Sequence, residues 1–403
     1  MTEIRRIQDA EVAGKRVLVR VDFNVPMKDG AVSDDTRLRA ALPTIGWLQD
    51  NGAKTILLAH FGRPKGQRND EMSLEPVGQP LADLLGSEVY FVDDVIGEDA
   101  AAAVEDLNDG DVLLLQNTRF EAGEEKNDPA FAKALASLGD LYVNDAFSAA
   151  HRAHGSTEGV ASLLPAYAGL SMQSEIDHLV AALEAPERPV IAIVGGAKVS
   201  TKIDLLQNLV KKVDMLFVGG GMANTLLHAQ GVNIGNSLCE KELVDTARMI
   251  LANAEESGCK ILLPSDVVLA KEFAPNPETR LAPVGEVGDD EMILDCGPAT
   301  VTALALAMED AKTLIWNGPL GAFEIPPFHT ATVTAAKQVV EQVKANGLVA
   351  VAGGGDTVAA LNQAEVAEDF TFVSTAGGAF LEWMEGKALP GVAVLTKDAE
   401  PVA

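Results

Sequence analysis

Cationic residues, cysteines and long apolar runs are all scarce in this chain, and each shortage removes a class of function. Lys and Arg number 31 against 59 Asp and Glu, a formal net charge of −28 at pH 7. Nucleic acid and anionic membrane, which are held by dense positive charge, are therefore disfavoured as partners. A small anionic ligand stays possible if a cleft reverses the sign locally; solubility accounts for most of the acidity. The three cysteines, Cys239, Cys259 and Cys296, have no C-x-x-C spacing. Neither a zinc knuckle nor a disulfide framework is indicated, and a reducing cytosol fits best. No apolar run reaches the length of a membrane span, and residues 1–10 hold no apolar core of signal-peptide length.

Several chemical fingerprints are missing too. Gly219-Gly-Gly-Met-Ala-Asn224 and Gly353-Gly-Gly-Asp-Thr-Val358 both fail G-x-G-x-x-G at its third glycine. Gly14-Lys15 and Gly386-Lys387 are followed by Arg16 and Ala388, so the P-loop pattern is absent. A dinucleotide dehydrogenase and a P-loop NTPase are disfavoured. No H-E-x-x-H, G-x-S-x-G or Cys/His pairing points to a metallo-hydrolase or an acyl-enzyme.

What is present is a repeated alternation of strand and helix. At 403 residues two domains are the default expectation. In the first half, strands are expected at 16–23, 55–59, 89–92, 112–115 and 141–143. Ser33, Asp34, Asp35 or Thr36 can cap a helix carrying Arg37, which Pro43 must start, kink or end. Such βαβ units imply a largely parallel sheet whose ligands bind beyond the strand carboxyl ends. Those ends collect Asp22, Asn24, His60, Arg63, Asn117 and Arg119, with Arg37 and Arg152 nearby. Single arginines are mostly surface residues. Repeated at successive strand ends, they form a cationic cluster suited to phosphate or carboxylate groups.

Residues 169–183 carry helical spacing and form either an interdomain helix or the last helix of the first domain. In the second half, strands are expected at 190–194, 215–218, 260–263, 314–316, 348–352 and 372–373. Their ends carry glycine where the first half carries arginine: Gly195-Gly196, Gly219-Gly-Gly221, Gly318, Gly353-Gly-Gly355 and Gly377-Gly378. Glycine lets a backbone approach a phosphate chain or a flat base. Residues 200–209 read as a helix that places Lys198 and Lys202 on one face of its first turn. Alone, that segment serves either as an anion site or as a plain turn with two solvated lysines. Set among several glycine-rich ends, it reads as part of a nucleotide pocket. Asp356 is a candidate ligand for a phosphate-bound Mg²⁺ and equally a helix cap, and Glu324 is placed to hold ribose hydroxyls.

Taken together, Arg20-Val-Asp-Phe-Asn-Val-Pro26, His60-Phe-Gly-Arg-Pro64, Asn117-Thr-Arg-Phe120, Ala150-His-Arg-Ala-His154, Gly195-Gly-Ala-Lys198, Gly219-Gly-Gly-Met-Ala223, Trp316-Asn-Gly-Pro319, Phe323-Glu324, Gly353-Gly-Gly-Asp-Thr357 and Ser374-Thr375 resemble phosphoglycerate kinase. The motifs match in order and cover nearly the whole chain. The resemblance implies a two-lobed α/β monomer, each lobe doubly wound around a mainly parallel sheet. Residues 1–168 would bind 3-phosphoglycerate or 1,3-bisphosphoglycerate, 169–185 would form the interdomain helix, and 186–387 would bind ADP or ATP with Mg²⁺. The tail, 388–403, would pack back on the first lobe. By motif match the glycerate contacts are Asp22, Phe23, Asn24, Arg37, His60, Phe61, Gly62, Arg63, Arg119 and Arg152. Those to the nucleotide are Lys198, Lys202, Gly220, Ile293, Asn317, Glu324, Gly353, Gly354, Gly355, Asp356 and Thr357, with Asp356 on the metal.

Two residues depart from the family pattern. Gln116 stands where Glu is usual, with little consequence expected. Ala376 stands where a glycine is usual, leaving Gly377 and Gly378 to supply N–H groups beside the moving phosphate. The reaction needs no general base, because the attacking carboxylate or phosphate is already ionised. Arg37 and Lys198 are expected to neutralise the phosphoryl group in flight, while Lys202 holds phosphates that stay. A non-catalytic two-lobed protein closing on an anionic metabolite is the alternative of another class; a dehydrogenase is a second.

Overall fold

The structure, a computed structural model, describes residues 3–398. Its first half builds β1 (Arg16–Arg20), a short hairpin of β2 (Met27–Lys28) and β3 (Ala31–Val32), then β4 (Lys54–Leu58), β5 (Val89–Val92), β6 (Val112–Leu115), β7 (Leu141–Asn144) and β8 (Ala166–Ala168). Apart from the hairpin these strands form one six-stranded sheet in the order β5-β6-β4-β1-β7-β8, parallel throughout. Its central strands β1, β4 and β6, β-branched and leucine-rich, are buried on both faces, as a sheet covered by crossover helices requires, while the edge strand β5 is part-exposed. One face packs Val17, Val19, Leu57 and Leu114 against Leu38, Ile45 and Leu48 of α1 (Thr36–Asp50) and Val77 and Leu81 of α2 (Glu75–Leu85). Helices α3 (Glu98–Glu105) and α4 (Pro129–Ala136) complete the crossovers.

After α5 (Leu170–Leu183) the pattern repeats with β9 (Val190–Val194), β10 (Met215–Val218) and β11 (Lys260–Leu262), then, further along, β15 (Thr313–Asn317), β16 (Val349–Gly353) and β17 (Phe372–Ser374). The second parallel sheet runs β11-β10-β9-β15-β16-β17. Between its two runs of strands lies a three-stranded antiparallel sheet of β12 (Asp266–Ala270), β13 (Thr279–Pro283) and β14 (Met292–Cys296). The helices of this half are α6 (Ile203–Leu209), α7 (Gly220–Ala229), α8 (Val244–Ser257), α9 (Pro298–Glu309), α10 (Thr330–Asn346), α11 (Gly355–Gln363) and α12 (Gly377–Met384). The core joins Ile191, Ile193, Leu314 and Trp316 to Leu304 and Met308 of α9 and Ala335 and Val339 of α10.

The chain divides into two compact units, one made of residues up to Ile176 with the segment from Ala388 onward, the other Asp177–Lys387. The division falls inside α5. In the first unit, Asp145 at the end of β7 accepts the N–H groups of Ser171 (2.9 Å) and Met172 (3.2 Å), capping α5. The late segment includes α13 (Pro390–Ala393). There Asn144 Nδ2 donates to the Gly391 carbonyl (3.1 Å), and Arg5 N–H donates to Leu395 (2.8 Å). Residues 399–403 of the expected tail lie outside the described residues.

Three readings of the sequence are corrected here. Helix α1 runs on both sides of Pro43, which therefore neither starts nor ends it. Pro43 is exposed, so the Arg39 carbonyl it leaves unpaired can be hydrated, while Leu38, Ala41, Ile45 and Leu48 hold the buried side. The strands expected in the second half leave 264–313 without one, whereas β12, β13 and β14 lie there. Residues 200–209 are not one helix: a 3-10 turn at Val199–Thr201 gives way at Lys202 (φ −137°) before α6 starts. Lys198 and Lys202 therefore do not share a helical face.

Candidate active site

Each parallel sheet has a central strand flanked by neighbours reached in opposite directions, β1 between β4 and β7, and β9 between β10 and β15. Crevices beyond the carboxyl ends of such strands are where ligands bind in open α/β sheets. The two sets of residues picked out by sequence divide between the two units, and most of them lie on the loops and helix starts after these strands; Ile293, in the antiparallel sheet, does not.

At the first, Asp22 follows β1 and accepts both oxygens' worth of hydrogen bonding from Arg37 Nη1 (2.8 Å each) and from Ser148 Oγ (2.6 Å). Asn24 Oδ1 accepts the Gly62 N–H (2.9 Å), and Arg119 Nη1 donates to the Gly62 carbonyl (2.8 Å). Gly62 sits at φ +62°, where a Cβ would also meet Met72 Sδ at 2.8 Å, so the turn after His60 favours glycine. Asn117 holds the same turn through Phe61, accepting its N–H (3.1 Å) and donating to its carbonyl (2.7 Å). Phe23 is wholly buried in the core, so only its backbone is available to a ligand, whereas Phe61 is half-buried and Arg63 exposed.

His60 is 8 % exposed, and its Nδ1 lies 2.9 Å from Arg20 Nη2. Burial, then the charges of Arg20, Arg119, Arg152 and Arg37, push its pKa well below the ordinary histidine value. The ring is neutral at physiological pH. His154 is pulled down to about 4, by burial first and then by Arg119, Arg20 and Arg152. These shifts register a local excess of positive charge within an acidic protein. Sequence reasoning gave no role to Arg20 beyond its place in a motif and none to Glu124, both buried behind this cluster. No periodicity marks Glu124, which lies in the polar run 121–127.

At the second place, Gly195 ends β9 against the loop that follows β15. A Cβ there would stand 1.7 Å from the Pro319 carbonyl oxygen, so no other residue fits without parting the strand ends. Lys202 Nζ donates to the Gly195 carbonyl (2.7 Å), the Asn317 carbonyl (3.2 Å) and Asn317 Oδ1 (2.6 Å). Burial pulls its pKa down to about 8, with Asp356 opposing. Asn317 Nδ2 in turn donates to the Gly353 carbonyl (2.8 Å), and Thr357 Oγ1 accepts the Gly318 N–H (2.7 Å). Lys202, Asn317 and Thr357 thus cross-tie the ends of β9, β15 and β16. Lys198 is exposed, with extended backbone.

Glycines 353 to 355 and Asp356 run from β16 into the first turn of α11, where the Gly355, Asp356 and Thr357 N–H groups precede the first intrahelical bond, Val358 N–H to Gly354. Gly377 and Gly378 occupy the same place in α12 beyond β17, with the first bond running from Phe380 to Ala376. Uncovered N–H groups at two helix starts suit an anion. Ala376 has φ −88°, which any residue adopts, so the departure from glycine introduces no backbone strain. Gly220 opens α7, but its N–H is committed to the Leu320 carbonyl (2.8 Å). Glu324 is exposed on the loop after β15, and Ile293 of β14 is half-buried against Val267, Leu269 and Ala282.

Among the described residues no group of three or more His, Cys, Asp or Glu side chains is arranged to hold a metal ion. The exposed Asp356 carboxylate in the first turn of α11 suits a cation whose other ligands would be phosphate oxygens and water. No helix among the described residues is long and apolar enough to cross a membrane.

Comparison with known proteins follows the same lines. The family model described as phosphoglycerate kinase matches residues 7–387. Phosphoglycerate kinase of Maricaulis maris is 74% identical over 403 residues, covering 100% of both chains. That of Zymomonas mobilis is 65% identical over 385 residues, covering 96% of this chain and 97% of its own. Among solved structures, phosphoglycerate kinase from Coxiella burnetii aligns with a TM-score of 0.92 at 41% identity, over 99% of this chain and 100% of that one. The enzyme from Pyrococcus horikoshii OT3 aligns at 0.80 with 30% identity, over 97% and 98%.

Proposed function

The chain belongs to the phosphoglycerate kinase family, and from that premise we propose how its own residues perform the reaction. The enzyme transfers a phosphoryl group reversibly between 1,3-bisphosphoglycerate and ADP, giving 3-phosphoglycerate and ATP. The observation that carries the assignment of residues is the pairing of two unlike anion sites. One unit gathers arginines around a neutral histidine; the other gathers glycine-lined strand ends, two lysines and Asp356.

In this reading Arg37, His60, Arg63, Arg119 and Arg152 bind the glycerate, while Asp22 holds the Arg37 guanidinium by one nitrogen and leaves its others free for substrate. Asn24 and Gly62 shape the turn that presents His60. On the nucleotide side, Lys198 and the N–H groups of α11 and α12 meet phosphate, and Glu324 meets the ribose. Lys202 keeps its neighbours' carbonyls together, which modifies its expected role: it shapes the floor beneath the phosphates that stay. Asp356 would hold Mg²⁺, which arrives with the nucleotide and supplies charge neutralisation between phosphate oxygens.

No residue has to remove a proton, because both attacking groups are ionised at neutral pH. Rate acceleration then comes from in-line placement and from cations aimed at the equatorial oxygens of the transferring group. Arg37 and Lys198 take that part. Two anions held in separate units must be brought together and water kept from the phosphoryl group, so closure of the lobes belongs to the cycle. A monomer in the cytoplasm is the simplest form, in keeping with three unpaired cysteines.

An assay with 3-phosphoglycerate and Mg-ATP, coupled to consumption of 1,3-bisphosphoglycerate, tests the reading. Turnover dependent on both substrates is expected. Tight binding of 3-phosphoglycerate with no turnover would instead identify a binding protein.

A further inference from the structure

The group that fixes His60 comes from beneath the glycerate half-site. Arg20 is 1 % exposed and commits all three guanidinium nitrogens to the protein. Nη2 reaches His60 Nδ1 (2.9 Å), Nε donates to Ser156 Oγ (2.9 Å), and Nη1 donates to the Val21 carbonyl. Ser156 passes the link on. Its hydroxyl donates to Glu124 Oε1, and its N–H donates to Glu124 Oε2 (2.8 Å). Glu124 is 0 % exposed and also accepts from Thr118 Oγ1 (3.2 Å), while the Tyr142 hydroxyl pins the Ser156 carbonyl (2.9 Å). The chain Glu124–Ser156–Arg20–His60 is thus buried and hydrogen-bonded at each step, with the charges of Glu124 and Arg20 bridged by a hydroxyl.

A guanidinium has donors and no acceptor, so His60 Nδ1 must accept and the ring proton must reside on Nε2. Protonating Nδ1 would set N–H against N–H among Arg20, Arg37, Arg119 and Arg152. We propose that Arg20 is a positioning residue of this half-site: anchored through Ser156 on the buried Glu124 carboxylate, it locks His60 as the neutral Nε2–H tautomer, which offers the bound glycerate a hydrogen-bond donor. The proposal rests on the glycerate reading of the half-site. Its functional content is a donor that does not titrate, so that the contact is the same across the pH range where a free histidine loses its charge.

Nitrogen-15 NMR of the whole protein labelled at histidine reads the tautomer directly, with His60 assigned by the signals lost in His60→Gln. Pyridine-type Nδ1 and pyrrole-type Nε2 signals, unchanged from about pH 8 to about pH 5, are expected. In Arg20→Met the ring should become a tautomer mixture that titrates, and KM for 3-phosphoglycerate should rise about tenfold or more, as for a lost bond to a charged ligand. KM for ATP should stay within about twofold, since no bond on the nucleotide side is touched. Arg20→Lys, which still donates to Nδ1, should restore the Nε2–H tautomer. An Nδ1–H or imidazolium spectrum in the wild type overturns the proposal without any variant, and so does a wild-type ring spectrum in Arg20→Met. Absence of all 3-phosphoglycerate turnover in the wild type would overturn the functional reading instead, while the spectrum still decides the tautomer.

Discussion

At the scale of single residues, the candidate site separates part-exposed side chains with donors left over from buried ones that hold their neighbours in place. Arg37 belongs to the first kind, with one nitrogen tied to Asp22 and the side chain about one-third exposed, 34%. Arg37→Ala should lower kcat by about 10²–10³ while leaving KM for ATP nearly unchanged. Steady-state rates decide this, and a variant altered only in KM for 3-phosphoglycerate would move Arg37 to a binding role. Gln116 belongs to the second kind and does more than its sequence position suggested. Buried at 2 % exposure, it accepts from Leu74 N–H (2.9 Å) and Asn117 N–H (2.8 Å) and donates to Ser73 Oγ (2.9 Å) and Asp93 Oδ1 (2.7 Å). The glutamate usual in the family would here face the Asp93 carboxylate. Asp93 is held below the ordinary carboxylate range by Arg68 first and Gln116 second. Gln116→Glu should therefore destabilise this protein by about 1–3 kcal/mol at pH 8, in line with the loss of a buried donor beside a charge. A carboxylate pair that shares a proton has a folded-state pKa above its unfolded value. Its stabilising contribution is present at low pH and lost as pH rises, so the penalty should shrink towards pH 5. Urea unfolding at the two pH values measures it.

At the scale of elements, α5 is capped by a carboxylate that is itself buried. Burial raises the Asp145 pKa to about 7, opposed by hydrogen bonds from Thr44, Met172 and Ser171. Folded Asp145 thus keeps a proton that the unfolded chain has already lost above its ordinary value. The stability this confers is complete in acid and fades as pH rises through 7. Between pH 6 and pH 8 the wild type should lose about 1 kcal/mol relative to Asp145→Asn, which has no such proton. Equal pH profiles for the two proteins would show the cap to be ionised throughout. Such a group is invisible in the sequence, where Asn144-Asp145 reads only as a strand end. The strands themselves were far more legible. Val190–Val194, Val112–Leu115 and Met215–Val218 begin and end where their apolar runs do, because a strand buried on both faces admits nothing else. Strands β12 and β13 escaped because one side of their sheet is solvated: Leu281 is 54% exposed and β13 is polar at Thr279 and Arg280. The candidate site stood out in the sequence where glycine or arginine recurred at strand ends. It was not legible where a residue's work depends on what lies opposite, as with Lys202 turned towards Asn317, or Glu124 beneath Ser156.

At the scale of the whole molecule, the two candidate anion sites lie in units that the chain crosses within a single helix, α5. Small-angle scattering with both substrates should give a smaller radius of gyration than with either alone; identical curves would count against closure during the cycle. The second crossing is the return of the chain at Ala388 to the unit it left. Asn144 at the end of β7 binds Gly391, Gly391 N–H binds Ala150 (2.9 Å), and Leu395 meets Arg5. For a chain made from its amino end this has a temporal meaning. The sheet of the first unit leaves the ribosome before the second unit does, yet the strap that completes it is synthesised only after the whole of that second unit. The unit begun first is finished last. Until then the buried amide of Asn144 and the carbonyl of Ala150 lack their native partners, so the nascent chain carries its first unit in an unfinished form for the time it takes to translate the second.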